Sequence, residues 1–152
     1  MGQTDKGNEV TLYSIGELFD KNFFIPAYQR GYRWDEQQVK DLLNDIHGFA
    51  AEKDRDEGAF YCLQPIVVKG IDALSDELSA GSPDWWEVVD GQQRLTTLRI
   101  IFEYLAHAHD TLGVSKPDVF GLRYETRPGI DDFLQALATG HAPDHEDYTV
   151  DH

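Results

Sequence analysis

Two short segments hold most of the residues with chemistry to offer. The first, Ile25-Pro26-Ala27-Tyr28-Gln29-Arg30-Gly31-Tyr32-Arg33-Trp34, places two arginines, a glutamine and three aromatic rings in ten residues. Arginine presents a planar fork of donors that matches phosphate oxygens, and aromatic rings stack on bases or on guanidinium groups. An aromatic-rich turn packed on a core would have the same composition, and spacing alone does not separate the two.

The second segment runs Asp90-Gly91-Gln92-Gln93-Arg94-Leu95-Thr96-Thr97-Leu98. An acid closes a strand-like run, a glycine turns the chain, and donors crowd the start of a long helical pattern. Free backbone N–H groups and the positive end of a helix dipole favour an anion at such a place. Gln92, Gln93 and Arg94 add side-chain donors, and Thr96 or Thr97 adds a hydroxyl. Asp90 would repel a phosphate unless a divalent cation such as Mg²⁺ bridges the two, or unless it orients water or an arginine. A plain capped helix with Arg94 on its surface accounts for the same letters.

Other groups carry weaker signals. His107 and His109 stand two apart on a helix and face different ways, whereas His141 and His145 have ligand-like spacing in a polar tail. Surface or core roles are the simpler reading of all six histidines than a zinc site. Arg123 and Arg127 bracket Tyr124 and Glu125, and would either close over phosphates or pair on the surface. Tyr61, Trp85, Trp86 and Tyr124 suit core packing.

The elements that must position these groups follow from pattern. Residues 1–11 read as a disordered leader. Ser14 with Glu17 has capping-box spacing and predicts a short helix, and Phe23-Phe24-Ile25 suits a brief strand ended by Pro26. Asp35 with Gln38 repeats the capping logic ahead of Val39, Leu42, Leu43, Ile46 and Phe49, which predicts a helix over 35–50. A charged linker follows, then a strand over 60–69. A Ser, Asp, Gly and Pro-rich loop covers 70–84, and a second strand 85–90. Leu95, Leu98, Ile101, Phe102 and Leu105 predict a helix over 94–112. A strand at 122–125 and a helix at 130–138 complete an α/β or α+β domain over 12–140 with a small mixed sheet. The acidic stretch 141–152 reads as the start of a truncated following region.

Composition narrows the function. A chain of 152 residues is one domain's worth. With 13 basic and 28 acidic side chains the formal charge is −15, which counts against a stand-alone grip on DNA phosphates. No apolar run approaches membrane-spanning length, the leader lacks a signal-peptide core, and the single cysteine excludes an internal disulfide. A cytoplasmic location is expected.

Taken in this order and about 55 residues apart, the two segments resemble the N-terminal domain of GmrSD-type restriction enzymes. Leu63-Gln64-Pro65-Ile66-Val67-Val68 and Tyr124-Glu125-Thr126-Arg127-Pro128 also look like that family. The strand and Gly-x-x-Arg turn are similar to the ParB/sulfiredoxin superfamily. The resemblance implies a ParB-like domain, a small mixed sheet flanked by helices, that binds and hydrolyses nucleoside triphosphates with Mg²⁺. It also implies a helical region and an HNH-type nuclease domain beyond this chain, in a protein that restricts foreign or modified DNA. Carried across, Gly91, Gln92, Gln93 and Arg94 match the phosphate-contacting loop, with Thr96 behind it, and Asp90 matches the acid placed for metal or water. Tyr28, Gln29 and Arg30 match the other motif, near the nucleotide or relaying DNA recognition. Asp90, Arg94 and Arg30 are the catalytic set this implies, and homo-oligomers are an expected possibility. Cys62 is not on the Gly91 loop, so the sulfiredoxin reaction is not expected. Two rivals stand beside hydrolysis: a module that senses nucleotide or modified DNA without turnover, and an interaction domain whose motif residues only cap and pack.

Overall fold

The computed structural model describes residues 10–71, 85–127 and 129–140. The expected leader up to residue 9, most of the loop at 70–84 and the acidic stretch 141–152, with His141 and His145, lie outside the described residues.

A 3₁₀ turn at Ile15–Leu18 opens the fold, its entry fixed by the Glu17 carboxylate, which accepts from the Ser14 N–H (2.7 Å) and hydroxyl (2.9 Å). Those two bonds hold the Glu17 carboxyl below the usual carboxylate range. Strand β1 (Asn22–Ile25) follows, then helix α1 (Glu36–Ala51). Asp35 caps α1 as the spacing predicts, accepting from Gln37 and Gln38 N–H while Gln38 Oε1 receives the Asp35 N–H at 2.6 Å. Of the predicted apolar stripe on α1 only Leu42 is buried, and Leu43 is exposed. Strands β2 (Val67–Gly70) and β3 (Trp85–Asp90) precede helix α2 (Gln92–Leu112), strand β4 (Gly121–Tyr124) and helix α3 (Ile130–Ala138). The architecture is mixed α/β, as expected: three α-helices and a four-stranded sheet among the described residues.

The strand order is β2-β3-β1-β4. β1 runs parallel to both β3 and β4, whereas β2 joins β3 antiparallel with a register shift between Val67 and Val68. The strand expected over 60–69 is therefore much shorter. Pro65 has no N–H to give a ladder, and Gln64 sits at φ 73°, a left-handed conformation that a strand cannot contain. Residues 60–66 instead form an irregular approach to β2.

The core lies where β1, β3 and β4 meet α2 and α3. Phe23, Ile25, Val88, Leu95, Leu98, Phe120, Leu122, Tyr124, Ile130 and Leu134 form one buried cluster. The central strand carries it because a parallel strand with neighbours on both edges is covered by the helices that cross over. Helix α2 ends at Gly113, whose φ of 67° places the following N–H of Val114 on the His109 carbonyl at 3.1 Å. Arg99 lies inside this core at 3% exposure. It reaches Glu103 (3.2 Å), Asp131 (2.8 Å) and the Phe120 carbonyl (2.9 Å), tying α2 to α3 and to the lead-in of β4. Among the described residues no helix is long and apolar enough to cross a membrane.

Candidate functional site

The site begins at one backbone position. Gly91 stands between β3 and α2 with φ 95°, which lets the chain turn from strand into helix within a single residue. A side chain there is excluded twice. The conformation is left-handed, and a Cβ would stand 3.1 Å from Ile66 Cγ1 and 3.2 Å from Ile66 Cα. The tight turn brings the start of α2 against the 64–66 segment. The consequence is an open cleft of about 330 Å³ walled by Trp34, Gln64, Pro65, Asp90, Gly91, Gln92, Gln93 and Arg94.

No side chain caps α2. The Leu95 N–H bonds to the Gly91 carbonyl at 3.0 Å and begins the regular ladder, while the Gly91 N–H is taken by its neighbour Asp90 Oδ1 at 2.9 Å. Between them, the N–H groups of Gln92, Gln93 and Arg94 belong to the helix's first turn and lack an i−4 acceptor. Arg94 is half-buried and donates to Gln64 Oε1 at 2.5 Å, a neutral partner. Among the described residues it forms no ion pair, so the wall keeps a full positive charge beside the positive end of the dipole. Asp90 is exposed at the edge of the same turn.

The two sequence segments are joined by their glutamines. Gln93 Oε1 accepts from the N–H of Arg33 (2.6 Å) and Trp34 (3.2 Å), and its Nε2 donates to the Gly31 carbonyl at 2.8 Å. Gln29 Nε2 donates in return to the Val89 carbonyl at 2.7 Å. The Thr97 hydroxyl donates to the Gln93 carbonyl at 2.8 Å, so its single proton is spent and the Tyr32 hydroxyl must donate to Thr97 at 2.9 Å. Gln29 and Gln93 therefore both hold backbone in place, and both the oxygen and the nitrogen of the Gln93 amide bond to the 31–34 loop.

The remaining sequence-predicted residues are distributed unevenly. Gly91, Gln92, Gln93, Arg94 and Asp90 meet in the cleft. Tyr28, Gln29 and Arg30 do not line it. Tyr28 is exposed and donates to Glu87 Oε1 at 2.7 Å, and Lys69 Nζ lies 3.1 Å from that same oxygen. The Tyr28 bond, with the Lys69 charge beside it, holds the Glu87 carboxyl low, and the carboxylate pushes the Tyr28 phenol and the Lys69 ammonium up. Arg30 is exposed on the loop between the two glutamine anchors. Thr96 departs most from expectation. It is 3% exposed and its hydroxyl lies 2.5 Å from the Tyr124 hydroxyl, so it faces the core and not the cleft. Three residues from Gln93 on a 3.6-residue turn, but with Leu95 and Leu98 beside it in the core, it was drawn inward by packing that a linear motif does not express. Arg123 lies over the Trp85 ring at 5.3 Å, outside the cleft wall.

Of the wall, Gln64 and Pro65 entered the sequence analysis only as part of a family-like segment, and Trp34 only as one of the three rings of the first segment. Gln64 orients Arg94, and its positive φ has no signature in a glutamine codon by codon; only its place in the Leu63-Gln64-Pro65-Ile66 segment marks it. Trp34 lines the cleft because Gln93 holds its N–H, a contact across 59 residues.

As for a metal, the described residues contain no group of three or more His, Cys, Asp or Glu that would cage an ion. One carboxylate, Asp90, faces the cleft, which fits Mg²⁺ carried in on phosphate oxygens: that ion takes one or two carboxylates and keeps several waters.

Compared with known families, residues 15–149 match the family model described as the GmrSD restriction endonuclease, N-terminal domain. No curated protein matches the chain.

Proposed function

This chain belongs to the GmrSD restriction endonuclease N-terminal domain family, and from that premise we propose that it is the nucleoside-triphosphate-binding and hydrolysing domain of a restriction-type defence protein, ParB-like in its handling of phosphate. The observation that carries the reading is the uncapped start of α2, which opens into a cleft beside an arginine held by a neutral amide. A site built to cap its own helix would place a carboxylate or hydroxyl on those N–H groups.

In this reading the first-turn N–H groups of α2 bind phosphate oxygens, and Gln92 adds a side-chain donor. Arg94, aligned by Gln64, neutralises the charge that spreads onto the transferred phosphoryl group. Asp90 would hold Mg²⁺ on the protein side, and the ion would supply charge screening of the phosphate oxygens. Asp90 Oδ1 already accepts the Gly91 N–H, so its second oxygen would be the one left for the ion or for orienting a water. Gln93 fixes the 31–34 loop against the site instead of touching phosphate. Arg30 stands outside the cleft wall and has no place in the phosphate cradle; with Tyr28 it presents an exposed surface suited to relaying the state of a DNA-engaging partner. The cutting of DNA belongs to an HNH-type nuclease domain of the same protein or a partner chain.

The test is phosphate release from each nucleoside triphosphate with Mg²⁺, comparing the protein with its Arg94→Ala variant. Release that falls by about 100-fold or more in the variant supports the site, the loss expected when a preorganised charge contact to the transition state is removed. Wild-type turnover in Arg94→Ala overturns it. Saturable binding without release would identify a sensing module.

A further inference from the structure

A second cleft of about 210 Å³ adjoins the first. The two share Trp34, Gln64 and Arg94, so Arg94 forms part of the wall of both. Alone the second is smaller than the roughly 300–1,000 Å³ typical of small-molecule sites, and continuous with the first it falls in that range. Beyond the shared Arg94, its charged lining is acidic. Helix α1 contributes Gln38, Asp41 and Asp45, and the 61–64 segment contributes Tyr61 and Cys62. Asp41 and Asp45 are exposed and acidic, one turn apart on the same helix face. Gln37 Nε2 donates to Asp41 at 2.7 Å and the Tyr61 hydroxyl to Asp45 at 3.3 Å, so each carboxylate is aimed and keeps acceptor capacity.

We infer that this second cleft is the nucleoside subsite of the same ligand, with Asp41 and Asp45 accepting hydrogen bonds from its donor groups and Trp34 and Tyr61 flanking its rings. The inference rests on the phosphate reading of the first cleft. Two carboxylates repel a polyphosphate, and the uncapped helix with Arg94 attracts one, so a molecule anionic at one end and hydrogen-bond-donating at the other can lie across both clefts in one direction only. Nucleoside triphosphates have that polarity: their hydroxyl and amino donors lie on the end away from the γ-phosphate. The donors come from either the ribose hydroxyls or the base, and both are neutral.

The experiment compares Mg²⁺ complexes of ribonucleoside triphosphates with Mg²⁺ and inorganic triphosphate, which lacks the nucleoside. Binding is measured on the protein, on Asp41→Asn and Asp45→Asn, and on Arg94→Ala. The aspartate variants are isosteric and exposed, so the fold is retained. Each is expected to weaken nucleotide binding by about tenfold, the worth of one hydrogen bond to a charged group, and to leave inorganic triphosphate no weaker. Arg94→Ala is expected to weaken both ligands. Cys62, the single cysteine and exposed in this cleft, supplies an independent readout: nucleotide should slow its alkylation by N-ethylmaleimide, and inorganic triphosphate should not. Running 2′-deoxy- and 2′,3′-dideoxynucleotides alongside identifies the ribose as donor if the aspartate effect disappears with either, and the base if it persists with both. Should the aspartate variants bind nucleotide as well as or better than the parent while Arg94→Ala still loses both ligands, the subsite is overturned and the phosphate site stands. Should neither ligand bind, both readings fall together.

Discussion

Helix α2 carries two arginines five residues apart, and they meet opposite fates. Arg99 is 3% exposed, with carboxylates from Glu103 and Asp131 and a carbonyl from Phe120 around its guanidinium. Arg94 is half-buried, and the partner that orients it is the uncharged Gln64. One charge is neutralised inside the protein and the other is aligned but left for something else. The difference shows how a family of identical side chains is divided between holding a fold and serving a site: the partner's charge decides, and burial follows from it. A guanidinium can enter a core only where acids are supplied to match it, because an unpaired buried charge is too costly.

Removing the buried arginine tests that division most directly. Arg99→Ala should destabilise the protein by about 3–5 kcal/mol, since it removes one partner of a buried ionic cluster. Arg94→Ala should cost less than about 1 kcal/mol while removing phosphate binding, because its hydrogen bond is partly solvated. Urea unfolding of both variants measures the contrast, and equal losses would break the comparison.

Gly91→Ala comes next. It forces a left-handed conformation on alanine and drives a methyl against Ile66, at a cost of about 1–3 kcal/mol. Because relief requires the start of α2 to shift from the 64–66 segment, phosphate release should fall with stability. A variant that loses stability but keeps full turnover would separate the turn from the site.

The smallest effect concerns the core side of the same helical turn. Burial pushes the Tyr124 phenol above its ordinary value of 10.0, with the Thr96 hydrogen bond opposing the shift. A raised pKa for an acid means the folded state favours the neutral phenol. That contribution is fully present below pH 10.0 and is lost as pH rises through the raised value. Denaturation midpoints of the parent should therefore fall more steeply above pH 10.0 than those of Tyr124→Phe, whose neutral-pH cost is about 1 kcal/mol. Identical slopes would show that Tyr124 is not the group responsible.

Much of the frame was legible from the chain. The Asp35 and Gln38 cap, the start of α2 after Gly91 and its apolar stripe through Leu95 and Leu98 depend on neighbours within a few residues, and local rules find them. The mixed sheet was expected in kind, but the strand over 60–69 shrank to Val67–Gly70, since the left-handed Gln64 has no propensity signal to announce it. α1 presents a clean apolar period yet buries only Leu42, because periodicity states which face is apolar and not what covers it.

That a glycine turns β3 into α2, that donors crowd that turn and that the chain belongs with the GmrSD N-terminal domains can all be read from the chain without its fold. Those properties are written in adjacent letters. Packing, in contrast, sets Thr96 against Tyr124, lets the Gln93 amide clasp the 31–34 loop, leaves Arg30 outside the cleft and gives Arg94 a neutral partner while Arg99 has acidic ones. Apart from the place of Arg30 and the turn-mate Glu103, each of those outcomes pairs residues 28 or more positions apart. A side chain's role at such a place is set by which distant partner packing brings within hydrogen-bonding reach.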